Sequence, residues 1–194
     1  MTRQTGEADL GRPKALPTIL LGGLTVGIFD MLFAFTYYGL ILGVKPLRIF
    51  QSVAGGLIGR PRAIEGGVPT FILGLALHFV VATCIASVFY VVVRLLPVLL
   101  RQFVISGLLY GVIAYFGMNY VVIPLSAIGA RPAGKRLPVL ITEIIGHALL
   151  VGLPLAIIAR RSAQSAHTKS AQSADSEGEL SPMRDLTGSA GRAF

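Results

Sequence analysis

Between Glu65 and Arg94 this chain carries no charged side chain, and between Arg101 and Arg131 it again carries none. Between Lys14 and Lys45 the only charge is Asp30, and between Arg136 and Arg160 the only one is Glu143. Each gap exceeds the roughly 20 residues that a helix needs to cross a hydrocarbon core about 30 Å thick. This pattern restricts the fold more than any other feature. It predicts an all-α integral membrane bundle of four transmembrane helices, near residues 17–43, 68–93, 102–127 and 137–159. Composition agrees: 54% of residues are apolar and only 13% are charged, about half the 25% charge of a typical soluble domain.

The net charge is +8, which taken alone suggests a nucleic-acid partner. Position argues against it. Arg12, Lys14, Lys45, Arg94, Arg101, Arg131, Lys135, Arg136, Arg160 and Arg161 sit at the ends of apolar runs. There basic side chains reach toward headgroups, so the expected partner is the lipid bilayer. No basic patch interleaved with aromatic residues offers to bind bases. The single cysteine, Cys84, falls inside the second run and reads as a small buried apolar residue. The first apolar run is about twice the length of a signal-peptide core of 7–15 residues, and is expected to remain as an anchor.

Residues 1–16 form a polar arm, residues 17–161 the four-helix domain, and residues 162–194 a polar tail. The tail repeats SAQSA and has little to bury, so it is expected to be disordered. Between the first two helices lies VKPLRIFQSVAGGLIGRPRAIEGG; its segment Leu47–Ile58 is too short to cross. It predicts an interfacial or re-entrant helix, broken by the Gly-Arg-Pro-Arg and Gly-Gly pairs that follow. Pro124 and Pro154 are expected to kink helices three and four. Four spans place both termini on one side. The basic residues of the two sides nearly balance, so the polar tail, which need not be translocated, points to cytoplasmic termini.

Helices in lipid associate by close contact and hydrogen bonds rather than by a hydrophobic drive. Gly23, Gly27, Gly74, Gly107, Gly111 and Gly146 therefore mark the expected packing faces. Asp30 continues the Gly23–Gly27 stripe, His78 lies four residues after Gly74, and His147 follows Gly146. These polar residues are expected to turn inward, and a carboxylate such as Asp30 would then be neutral or paired.

Asp30, His78, Asn119, Glu143 and His147 form the candidate polar cluster. Counted from the first and third connections at 1.5 Å per residue, Asn119 and Glu143 lie about 10 Å deep, His78 and His147 about 15 Å, and Asp30 about 20 Å. The five are expected to form one graded layer, extended by Tyr37, Tyr115, Tyr120 and Thr142. Four uses compete: a structural network, a proton or ion relay, a zinc or iron site, and a lipid or small-molecule cleft. Glu143 and His147 do not follow Glu-x-x-His or His-Glu-x-x-His spacing, so no metal is assigned. AGGLIGRPR lacks the Lys-Ser/Thr of a phosphate-binding loop, and no nucleophile elbow is present, so no cofactor and no catalytic residue are assigned. Ser106 and Ser126 read as backbone-bonded hydroxyls.

GLALHFVVATCIASVFYVV, LLP, SGLLYGVIAYFGMNYVVIPLSA and EIIGHALLVGLPLAIIARR resemble uncharacterised bacterial four-helix inner-membrane proteins of the YagU-like family, over roughly residues 72–161. The resemblance rests on His78, Leu96-Pro97, Gly107, Gly111, Pro124-Leu125, Glu143, Gly146 and His147. It implies a small multi-pass protein of the bacterial inner membrane and brings no reaction with it. The expected function is non-enzymatic, a buried carboxylate–histidine cluster serving proton-linked transport or stress adaptation, with a homo-oligomer supplying interior that four helices lack. The alternatives are a structural or scaffolding membrane subunit and, third, a metal-dependent membrane enzyme.

Overall fold

The structure, a computed structural model, describes residues 12–129 and 134–168, together with Gln172. Most of the polar arm and most of the expected tail lie outside the described residues. Four helices are long and apolar enough to cross a membrane: α1 (Ala15–Ile41), α4 (Gly67–Leu95), α5 (Phe103–Leu125) and α6 (Leu137–Thr168). Two short helices, α2 (Pro46–Ile58) and α3 (Arg60–Glu65), join α1 to α4. A single 3₁₀ turn, Pro97–Leu100, joins α4 to α5. Among the described residues there is no strand.

The helix ends follow local chemistry. Proline stands in the first turn of α2 and α6, where a missing N–H breaks no helical bond. Gly59 ends α2 at φ +82°, a conformation that side-chain-bearing residues rarely adopt. At the other end of the bundle, the Lys14 N–H donates to Ser162 Oγ at 2.9 Å, so the start of α1 lies against the late turns of α6. The helix of α6 runs to Thr168, past the Arg161 boundary expected for the disordered tail. Ala159 and Ala163 are fully buried, which explains the extension: the last turns still have a helix to pack against.

The apolar core fills the half of the bundle near the termini. Val26, Ala82, Ala86, Phe89, Val93, Val151, Leu155 and Ala156 form it. Small residues let the backbones approach. A methyl group at Gly23 would lie 2.8 Å from the Thr83 Cα, and one at Gly27 would lie 2.5 Å from the Phe79 ring, so α1 rests directly on α4. At Gly107 it would lie 2.8 Å from the Gly152 carbonyl oxygen, and at Gly111 2.6 Å from the Ala148 Cα. Helices α5 and α6 thus cross at backbone contact, as small-residue faces allow. Gly146 is covered by the Phe33 ring of α1. Gly74 serves a different contact from the others: it seats α2, whose Phe50 backbone carbon would lie 2.6 Å from a methyl there. Cys84 is exposed, contrary to its reading as a buried residue. Gly74, Ala82 and Ala86 face inward, and Cys84 lies on the opposite flank of α4.

Helix α2 packs along α4 through Phe50, Gln51 and Ala54, all nearly inaccessible. Gln51 is a buried amide with a purpose: its Nε2 donates to the Gly67 carbonyl at 3.0 Å and lies within bonding range of the Ile64 carbonyl. These oxygens sit where α3 hands over to α4. The amide takes the place of the water that a chain break at this point would otherwise need.

Candidate functional site

Three of the long helices widen into π-helical turns: Phe35–Ile41 in α1, Met118–Val122 in α5 and Ala148–Gly152 in α6. Pro124 and Pro154 stand just after two of these turns. A proline cannot bond the carbonyl four residues back and crowds it. Those carbonyls belong to Tyr120 and Leu150, inside the second and third wide turns. The first wide turn has no proline to account for it. All three adjoin the same polar centre: Tyr38 is in the first, Asn119 in the second, and His147 directly precedes the third.

Glu143 is the middle of this centre. It is 3% exposed, although its helix starts only at Leu137. Tyr38 of α1 donates its hydroxyl to one carboxylate oxygen. Tyr115 of α5 donates to the other at 2.8 Å, and the Lys135 ammonium bonds that same oxygen. One carboxylate therefore ties together α1, α5, α6 and the segment before α6. Lys135 also donates to Asn119 Oδ1 at 3.2 Å, and Asn119 Nδ2 donates to the Tyr115 carbonyl at 2.9 Å. The Lys135 ammonium lies 5.4 Å from the centre of the Tyr115 ring, within cation–π range. His147 bonds its own helix, Nδ1 to the Glu143 carbonyl at 2.9 Å, and its ring meets the edge of Tyr115 at 5.2 Å.

Asp30 and His78 are elsewhere. His78 Nδ1 lies 3.9 Å from Asp30 Oδ2, and its Nε2 lies 2.9 Å from the Gly27 carbonyl oxygen. Its ring is packed between Phe50 and Phe79. The contacts of this pair run between its two members and to Gly27, whereas those of Glu143 run to Tyr38, Tyr115 and Lys135. The single graded layer expected of the five residues is thus two separate groups. The physical reason is that helical spacing sets which face a residue occupies, not which neighbouring helix that face meets.

Two members of the centre were not singled out from the sequence. Lys135, which its position before an apolar helix would send toward headgroups, turns inward to Glu143. Tyr38 is used where Tyr37 had been expected, while Tyr37 stacks on Phe33. Thr142 bonds the Pro138 carbonyl of its own helix and Tyr120 is exposed, so neither extends the centre. Ser126 donates to the Ile123 carbonyl, a backbone-bonded hydroxyl. Among the described residues no three His, Cys, Asp or Glu side chains come together as a metal-binding group. An apolar groove of about 320 Å³ lies between α1 and α6, lined by Phe29, Leu32, Phe33, Thr36 and Leu150. It holds no charged anchor.

Comparison with models of protein families, with curated proteins and with solved structures finds no match for this chain.

Proposed function

We propose that this chain is a small, non-enzymatic multi-pass protein of a bacterial plasma membrane, with both termini cytoplasmic, in which Glu143 binds and releases a proton in linked transport. Four long apolar helices support membrane residence, and the resemblance described above supports a bacterial one. The observation that carries the transport reading is the unequal burial of one ion pair. The Glu143 side chain is 4% exposed, whereas that of its partner Lys135 is 29% exposed. Ionisable groups inside membranes commonly mark proton and ion pathways.

Lys135 comes from a connection, next to Gly134 at φ +68°. The ammonium can leave the carboxylate for water while the carboxylate stays inside. A bare carboxylate there is costly, so the departing lysine is replaced by a proton. The exchange is balanced: Glu143 gains one proton, Lys135 keeps its own, and the pair gains one positive charge. Tyr38 and Tyr115 hold the carboxyl group in place throughout. Four helices enclose little interior, so the transporting unit is a homo-oligomer.

Purified protein in vesicles carrying a pH gradient should dissipate it at least tenfold faster than empty vesicles. Glu143→Gln, which keeps the shape and loses the charge, should return the rate to that of empty vesicles. Equal rates in the two proteins would remove Glu143 from any pathway. The structural reading is favoured by a different observation: the three donors to Glu143 come from three separate segments, which is what a lock requires. It predicts a loss of stability on removing the carboxylate with no flux to lose.

A further inference from the structure

The geometry points to a second proton-binding site in the middle of α1, made by Asp30 and His78 and independent of the Glu143 centre. It gives the transport reading a second station, but it stands on its own contacts. A backbone carbonyl can only accept a hydrogen bond. The 2.9 Å contact of His78 Nε2 with the Gly27 carbonyl therefore places a proton on Nε2. That leaves Nδ1 as the only nitrogen free to change, and Nδ1 faces Asp30 Oδ2 at 3.9 Å. This separation is beyond a direct hydrogen bond and within ion-pair reach.

The pair then has one proton to place. With it on the carboxyl, both groups are neutral. With it on Nδ1, aspartate faces imidazolium. Either arrangement has no net charge, which suits a site between apolar helices. Removing the proton leaves one negative charge, and adding another leaves one positive charge. The ligand is a proton rather than a metal ion, because one carboxylate and one free nitrogen fall short of the four ligands usual at a zinc site.

Leu21, Leu24, Ile28 and Leu32 are exposed along one face of α1. At 3.6 residues per turn, Asp30 lies nearly opposite them. It continues the stripe of Gly23 and Gly27, which touch Thr83 and Phe79 of α4. Its side chain nevertheless keeps 30% of its surface, and that of His78 keeps 13%. The charged and titratable groups on the packed elements are engaged elsewhere. Arg48 of α2 bonds Gln51 and the Ile64 carbonyl. On α6, Glu143 is held by Tyr38, Tyr115 and Lys135, and His147 is bonded to the Glu143 carbonyl.

Full-length protein labelled with ¹⁵N-histidine and placed in lipid nanodiscs tests this. The chain has three histidines, and His78→Gln identifies the signal of interest. Wild-type neutral His78 should hold its proton on Nε2, with Nδ1 bare toward Asp30. In Asp30→Asn the Nδ1 resonance should shift, because the carboxylate that faces it is gone. In Glu143→Gln it should not move. A neutral His78 carrying its proton on Nδ1 would overturn the site, and that reading needs no variant at Asp30. So would an Nδ1 resonance unaffected by Asp30→Asn. Because the readout is protonation and not flux, a failed flux experiment with these resonances as expected would refute the transport role alone.

Discussion

Glu143→Ala should lower the stability of the detergent-solubilised protein by about 3 kcal/mol, read as a large fall in the midpoint of thermal unfolding followed by circular dichroism. The basis is the number of groups that one carboxylate satisfies. Its loss removes the acceptor of the Tyr38 and Tyr115 hydroxyls and the counter-charge of the Lys135 ammonium. Breaking a buried ion pair by removing one partner costs about 3–5 kcal/mol. The low end applies here, because Lys135 is partly exposed and can turn to water. The two tyrosines cannot do the same, Tyr115 least of all, since it is 1% exposed. A second substitution sharpens the expectation. Adding Lys135→Met to Glu143→Ala should recover part of the loss, because an apolar residue no longer needs a counter-charge. If Glu143→Ala unfolds with the wild type, the carboxylate does not tie the segments together.

Gly152→Ala should be nearly as damaging, also by about 3 kcal/mol, at the upper end of what overpacking usually costs. The added methyl would lie 2.6 Å from the Gly111 backbone nitrogen and 2.9 Å from the Gly107 carbonyl carbon. Both neighbours are main chain, so no side chain can rotate away. Helix α5 must move off α6, and the Tyr115–Glu143 bond lies along the same pair of helices. Gly117→Ala is the matched control. It lies in α5, the helix that Gly152 of α6 packs against, yet nothing lies within 4 Å of the added methyl. There, replacing a helical glycine should be neutral or stabilising by about 0.5–1 kcal/mol. Thermal unfolding of the two variants side by side separates crossing geometry from helix propensity.

How much of this was readable in advance differs by level. The four long gaps, two with no charge and two with a single carboxylate, located α1, α4 and α5 to within about two residues at each end and placed the start of α6, but not its end at Thr168, beyond the expected 159; crossing a hydrocarbon layer depends on length and apolarity alone. The glycines showed which faces carry backbone contacts for the same reason: only a missing side chain permits them. Gly152 escaped notice because its approach to Gly107 and Gly111 depends on the crossing angle of α5 and α6, which no local pattern records. Lys135 escaped because a lysine before an apolar helix ordinarily extends toward water; only the position of Asn119 and Tyr115 across the gap draws it inward. The choice of Tyr38 over Tyr37 depends on the wide turn at Phe35–Ile41, which shifts the helical phase and has no proline to announce it. Asp30 and Glu143 each sit on an inward stripe, but the two stripes meet different neighbours.

The most direct test of the account is the distance between the Lys135 ammonium nitrogen and the Glu143 carboxyl carbon in a lipid bilayer. It can be measured by solid-state NMR on protein carrying ¹⁵N-lysine and ¹³C-glutamate. A bonded pair places these atoms about 3.5 Å apart, given charge-assisted N···O contacts of about 2.8 Å. The account predicts strong dephasing at that distance, absent in Lys135→Met and in Glu143→Gln. A Glu143 carboxyl signal that no lysine nitrogen dephases would contradict it, because the lysine would then lie at the surface and the buried carboxylate would have no counter-charge to exchange.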